Sequence, residues 1–157
     1  LSLHDALPIS RVPLCGDDYL GRISGPLMDR FDLRVDVPPA AYTDLDLPPS
    51  GDNSATVAAR VAKARAIQAK RFAAHPNLRV NADAEGRILE DIATPDTEGR
   101  EFLIRVAERF GMSARAYHRV LRVARTIADL AGVETVGRKH IAEAASYRIS
   151  LNGKGPQ

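Results

Sequence analysis

A mainly α-helical bundle behind a proline-rich leading segment is the fold class the sequence predicts, and three observations predict it. Seven prolines, Pro8, Pro13, Pro26, Pro38, Pro39, Pro48 and Pro49, precede residue 50. Proline removes a backbone donor and fixes φ, so this first third reads as loops and short strands. Beyond residue 53 the chain is rich in Ala, Arg, Leu and Glu, the better helix formers. Apolar residues in that part also recur at helical spacing. Hydrophobic residues make up 45% and charged residues 27% of the 157, so a core for one domain can form.

Taken in order, residues 1–10 have no clear period and no basic stretch leading into an apolar one. They are set aside as an artefactual or linker segment, and residues 11–21 carry no recognisable pattern. Phe31-Asp32-Leu33-Arg34-Val35-Asp36-Val37 alternates apolar and polar, the period of a half-exposed strand that Pro38-Pro39 ends. A domain boundary falls near Pro48-Pro49-Ser50-Gly51. Asn53-Ser54 offers the N-cap of a helix to about Ala74, with Val57, Val61, Ala64, Ile67 and Ala69 as its apolar positions. His75-Pro76 ends it. Asn81 and Asp83 cap a short helix through Ile92. Thr97 opens another, carrying Phe102, Leu103, Val106 and Phe110 and stopping at Gly111.

Ser113 caps the longest helix, about Ala114 to Ala131. At about 100° per residue, Tyr117, Val120, Ala124, Ile127 and Ala131 fall on one side and Arg115, Arg119, Arg122 and Arg125 on the other. A final helix, about Arg138 to Tyr147, follows Gly137.

Net charge is only +2, but it is unevenly spread. Residues 1–50 carry 4 basic and 8 acidic groups, whereas residues 98–148 carry 10 and 6. Several function classes are excluded. Aromatics at 5%, with no Trp, argue against a stacking platform for single-stranded nucleic acid. One cysteine excludes a disulfide framework and a Cys-rich zinc site, and Cys15 reads as an inert thiol. No apolar run approaches the roughly 20 residues of a membrane span. Gly16 and Gly21, and again Gly132 and Gly137, have phosphate-loop spacing. Neither pair supplies the following Lys and hydroxyl that grip phosphate and magnesium. His4, His75, His118 and His140 have no metal-ligand spacing and read as surface residues; Asp44 and Asp46 read as a solvated pair.

Ile23-Ser24-Gly25-Pro26-Leu27-Met28-Asp29-Arg30-Phe31-Asp32-Leu33 places an arginine between two carboxylates, after a Gly-Pro turn and ahead of the alternating segment. Arg30 either pairs with Asp29 or Asp32, or projects across a subunit interface toward a γ-phosphate. A planar guanidinium suits the second task because it neutralises charge spread over equatorial oxygens. This segment resembles the corresponding one of the magnesium-chelatase-like AAA+ ATPases, in particular the ComM/YifB competence-protein group. The run from Gly111 through Ser113-Ala114-Arg115-Ala116-Tyr117-His118-Arg119 to Leu130 is similar to a second stretch of the same family.

The resemblance covers about residues 22–148 and implies a helical lid over 51–148, a tail over 149–157, and the last strand and finger region of an α/β core over 22–50. It implies that Arg30 is an arginine finger acting in trans on a neighbouring subunit's ATP. It implies that Arg115 is a sensor-2 arginine contacting the γ-phosphate and moving with the lid. ATP and Mg2+ as ligands, a homo-hexamer, DNA as partner and a cytoplasmic location follow from the same likeness. So does DNA branch migration in transformation or recombination, with a chelatase-type role on another substrate as an alternative. The Walker loops and sensor-1 Asn are expected upstream of this stretch, so these residues alone are expected neither to bind ATP tightly nor to hydrolyse it.

Two other readings stand beside this one. Phe102 to Phe110, the Gly111-Met112-Ser113 turn and the arginine-rich helix fit a helix-turn-helix loosely, with Arg119 and Arg122 reading DNA. Alternatively, Arg119, Arg122 and Arg125 form a solvated or subunit-facing stripe on a scaffold.

Overall fold

The computed structural model describes residue 27, residues 29–35, residue 37, residues 42–44 and residues 51–148. The chain separates into a unit of residues 1–31 and a unit that begins at Asp32. In the first, Asp29 and Arg30 form a turn, closed by the Arg30 N–H donating to the Leu27 carbonyl at 2.9 Å.

Five α-helices are formed among the described residues of the second unit. Helix α1, Ser54–Arg71, starts where the Asn53 side chain accepts from the Thr56 N–H at 2.8 Å. It ends at Phe72, whose N–H returns to the Gln68 carbonyl. Its apolar positions are not the buried stripe their spacing suggests. Val57, Val61 and Ile67 are exposed, and Ala64 and Gln68 are its buried residues, because the part of α1 that packs on α4 lies in its C-terminal half. A 3-10 turn, Asn81–Asp83, precedes helix α2, Gly86–Ala93. Asp83 caps this turn by accepting from the Arg79 and Val80 N–H groups. Asn81, expected as a cap, is instead buried and points its amide into the bundle.

Helix α3, Thr97–Arg109, is capped by Asp96, which accepts from the Gly99 N–H at 2.7 Å. Gly99 lets α3 approach α5 closely: a Cβ there would lie 3.0 Å from Asp96 Oδ1 and 3.2 Å from the Arg138 nitrogen. Gly111 turns the chain with φ +56°, the left-handed region that glycine enters without steric cost. Helix α4, Ala114–Leu130, follows, with Ser113 Oγ accepting from the Ala116 N–H at 3.1 Å. Helix α5, Arg138–Ser146, closes the bundle.

Helix α4 is the axis of the bundle, packed against α1, α2 and α5, while α3 packs on α5. Val120, Ala124 and Ala128 of α4 are fully buried with Leu89 of α2, Leu103 of α3, Val136, and Ile141 and Ala144 of α5. Each such Leu, Ile or Val contributes on the order of 1.5–3 kcal/mol by burial. The bundle is the mainly α architecture that the sequence predicts, and His140, expected at the surface, lies inside it at 3% exposure.

The strand expected over 31–37 does not form among the described residues. A strand needs a neighbour to complete its ladder, and here the Arg34 N–H donates to the Tyr147 carbonyl, just past the last helix, at 2.8 Å. The alternation persists in inverted form. Asp32 and Arg34 are half-buried, whereas Leu33, Val35 and Val37 are exposed.

Candidate functional site

Four arginines at spacings of four, three and three run along α4, and the structure gives them four different fates. Arg125 is 3% exposed. Its Nε donates to Asp129 Oδ1 at 3.0 Å, one terminal nitrogen to the Val133 carbonyl at 2.7 Å, and the other to the Glu134 carbonyl. Arg122 donates to the Ala84 carbonyl at 2.9 Å and pairs with Glu85 at 3.5 Å. Arg119 forms an ion pair with Asp32. Arg115, in the first turn, is exposed and makes no ion pair among the described residues. The reading of Arg119, Arg122 and Arg125 as a solvated or subunit-facing stripe is therefore corrected. Each fastens α4 to another part of the chain, because a half-buried guanidinium needs acceptors and the neighbouring turns supply them.

The deepest of these contacts belongs to a polar cluster centred on Asp129, whose side chain is fully buried. Its carboxylate accepts from Arg71 at 2.6 and 2.8 Å, from Asn81 at 2.8 Å and from Arg125 at 3.0 Å. Gln68 approaches at 3.4 Å. Burial by itself would raise the carboxyl pKa. The hydrogen bonds from Arg71 and Asn81, with the charge of Arg125, reverse this and hold it below the usual carboxylate range. Burial pushes the Arg125 guanidinium down, and Asp129 opposes that. Two cations on one buried anion leave the cluster with a surplus positive charge beside a cleft of about 610 Å³. Ile67, Lys70, Arg71, Ile92, Arg125 and Glu134 are among the residues lining it.

Burial also lowers the pKa of His140, and the nearby charges of Lys139 and Arg125 add to this. Its neutral ring accepts from the Gly137 N–H through Nδ1 at 2.9 Å, so it braces the start of α5. Among the described residues, no group of His, Cys, Asp or Glu could hold a metal ion. No helix among them is long and apolar enough to cross a membrane.

Arg30 is exposed and has no ion pair among the described residues; Asp32, one of its two candidate partners, is taken by Arg119. Arg115 belongs to the second unit and Arg30 to the first. Arg30 on its turn and Arg115 at a helix N-terminus thus make no ion pair among the described residues, and the same holds for Arg87 and Arg100. At the N-terminus of α4, unsatisfied N–H groups and the helix dipole favour an anion. Cys15, His4, Asp46 and both glycines of the first phosphate-loop near-miss lie outside the described residues. The buried cluster escaped sequence reading, although Asp129 four residues beyond Arg125, in an otherwise basic row, was its one visible sign.

Comparison with known proteins gives a consistent picture. The profile described as "Magnesium chelatase, subunit ChlI C-terminal" matches residues 51–148, and that described as "Magnesium chelatase, subunit ChlI" matches residues 5–45. Competence protein ComM of Haemophilus influenzae is 39% identical over 134 residues, 85% of this chain and 25% of that protein. The uncharacterised protein YifB of Escherichia coli is 38% identical over 133 residues, and YifB of Salmonella typhimurium 37% over 139. In both cases 83% of this chain and 25% of the relative are covered. The chain thus spans about a quarter of the length of these relatives. The match over more than half of the residues, on the five-helix bundle itself, assigns the chain to the magnesium chelatase family, in its ComM/YifB group of AAA+ proteins.

Proposed function

We propose that this chain supplies the finger and the lid of an ATP-driven motor that acts on DNA. Arg115 reaches the γ-phosphate of ATP bound by its own subunit, and Arg30 reaches the γ-phosphate bound by the next subunit of a hexamer. One observation carries the reading: Arg119, Arg122 and Arg125 are all committed within the chain, which leaves Arg115 alone uncommitted at the N-terminal turn of α4. The magnesium that accompanies ATP would neutralise phosphate charge, and its ligands come from outside the described residues. Arg115 contributes a positive charge and directed donors beside the helix dipole. Arg30 contributes the planar donors that meet charge developing on the transferred phosphoryl group.

Residues 22–50 then form the end of the ATPase core and residues 51–148 the lid, in a cytoplasmic protein. The DNA role, branch migration in transformation or recombination, rests on the likeness to competence protein ComM. A helix-turn-helix reading has less support, because Arg119 and Arg122 would have to leave Asp32 and Ala84 to contact bases.

The test is ATP turnover by the full-length protein. Arg30→Ala should lower turnover at least tenfold, the lower end of what an arginine finger contributes being larger still. Mixing these subunits with Walker-dead subunits that retain Arg30 should restore part of it. Unchanged turnover in Arg30→Ala, or no recovery on mixing, would refute a finger in trans.

A further inference from the structure

We infer that one side of α1 is a contact surface for the phosphate backbone of double-stranded DNA. The inference rests on the DNA reading proposed above and names where this chain meets that partner. Helix α1 carries five basic residues, Arg60, Lys63, Arg65, Lys70 and Arg71, and no acidic one, in a chain whose net charge is only +2. Every residue from Ser54 to Lys63 is exposed, so more than half of the helix stands clear of the bundle. It needs little packing to stay helical: seven of its 18 residues are alanine, the best helix former, and Asn53 caps its start.

Arg60, Lys63, Ile67 and Lys70 follow one another at spacings of three, four and three, which sets them along one side of the helix. From Arg60 to Lys70 the row runs about 15 Å. Its charge is largely unspent. Lys63 and Lys70 make no ion pair or side-chain hydrogen bond among the described residues, and Arg60 holds only Asp52, through side chains that are both about half exposed. At Lys70 the row reaches the cleft that Arg71 and Arg125 also line, where Asp91 and Glu134 are the acidic groups. Those carboxylates come from α2 and from the chain beyond α4, so the unbalanced charge is that of α1 itself. The basic row of α4 differs, since three of its four arginines are committed within the chain.

The chemistry of the row selects the partner. A membrane surface requires a broad apolar face opposite the charge. Val57 and Val61 lie on one side of α1 and Ile67 on another, and the helix has no aromatic residue. A protein partner ordinarily takes aromatic or large apolar anchors, and the row offers Ile67 alone. Lysine is a compact charge on a flexible stem, which needs no bidentate geometry and can follow a line of phosphates. Such contacts hold and orient a duplex without reading its sequence.

Fluorescence anisotropy of labelled duplex DNA tests this, with this chain and in parallel with the full-length protein. This chain should bind two duplexes of unrelated sequence with affinities within twofold of each other. Lys63→Ala combined with Lys70→Ala should weaken its binding at least tenfold at about 0.1 M salt. The slope of log affinity against log salt should become shallower by about 2, because each lost phosphate contact removes about 0.9 from it. Lys63→Arg combined with Lys70→Arg should bind within twofold of the unaltered chain. Arg105→Ala combined with Lys139→Ala removes the same charge from exposed positions of α3 and α5, and should weaken binding less than threefold. A double lysine-to-alanine variant that binds within twofold of the unaltered chain, or that loses no more than this control, would overturn the inference. So would a chain that binds no duplex while the full-length protein does, or one that binds poly-glutamate in its place, which would assign the row to an acidic polypeptide. Absence of DNA binding by the full-length protein would instead reject the DNA reading beneath it.

Discussion

Removing the Asp129 carboxylate is the perturbation to which this bundle should respond most. Asp129→Ala strips one buried anion from two guanidinium groups and an amide, held at 2.6–3.0 Å. Arg125, 3% exposed, keeps two backbone acceptors but loses its counter-charge. Breaking a buried pair from one side costs about 3–5 kcal/mol, because the remaining charge is left uncompensated in a poorly hydrated place. Against a stability of about 5–15 kcal/mol for a domain, that is a large fraction. With a urea m-value of about 1–3 kcal/mol per M, the unfolding midpoint should fall by at least about 1 M. The assay is urea unfolding of this chain at pH 7, followed by far-UV circular dichroism. Arg60→Ala is the control: its pair with Asp52, at 2.8 Å, has side chains 51% and 49% exposed, and such pairs contribute less than about 1 kcal/mol. If Asp129→Ala cost no more than Arg60→Ala, the cluster would not be the tie between α1, the Asn81 turn and α4 that its geometry describes.

Two further outcomes follow from the same structure. Leu103 is fully buried, and Leu103→Ala should cost about 2–5 kcal/mol, whereas Ile104→Ala, at a 42% exposed neighbour, should cost well under half as much in the same unfolding assay. His140 has its folded-state pKa lowered from the ordinary 6.5, so the unfolded chain binds the proton more readily. Its contribution to stability is fully present above about pH 6.5 and is lost as pH falls toward the folded value. His140→Asn, which keeps an acceptor on the side chain, should therefore flatten the decline in stability between pH 7 and 5. Asp129 acts in the same direction lower down: its contribution is present above its ordinary 3.8 and disappears as pH falls through the depressed folded value.

The helix starts were legible because capping is local. Asn53 and Ser113 announce their helices within three positions, and the N–H groups they satisfy lie equally close; at α3 the cap is Asp96, one residue before the start at Thr97. The fates of the polar residues were not legible, because their partners are distant in sequence. Arg119 and Arg122 of α4 find acceptors 87 and 38 positions away, and Asp129 accepts from Arg71, 58 positions away. Periodicity assigns a face to such a side chain but not an acceptor. The alternation of residues 31–37 was read correctly as a period and wrongly as a strand, because Asp32 and Arg34 find helix partners while Leu33, Val35 and Val37 find no sheet among the described residues. His140 was misplaced for a related reason: its Nδ1 meets a backbone N–H three residues earlier, which makes burial tolerable for a neutral ring. At the candidate site, the residue types and order of Arg30 and Arg115 were visible in the sequence, whereas the commitment of the other three arginines of α4 needed the fold.

The most direct measurement is a structure of the full-length protein assembled with magnesium and a non-hydrolysable ATP analogue. The account predicts the Arg115 guanidinium within hydrogen-bond distance, about 2.7–3.2 Å, of a γ-phosphate oxygen in its own subunit. It predicts Arg30 of the adjacent subunit at the same phosphate. Arg115 turned to solvent with the nucleotide bound, or Arg30 directed away from every nucleotide, would contradict it.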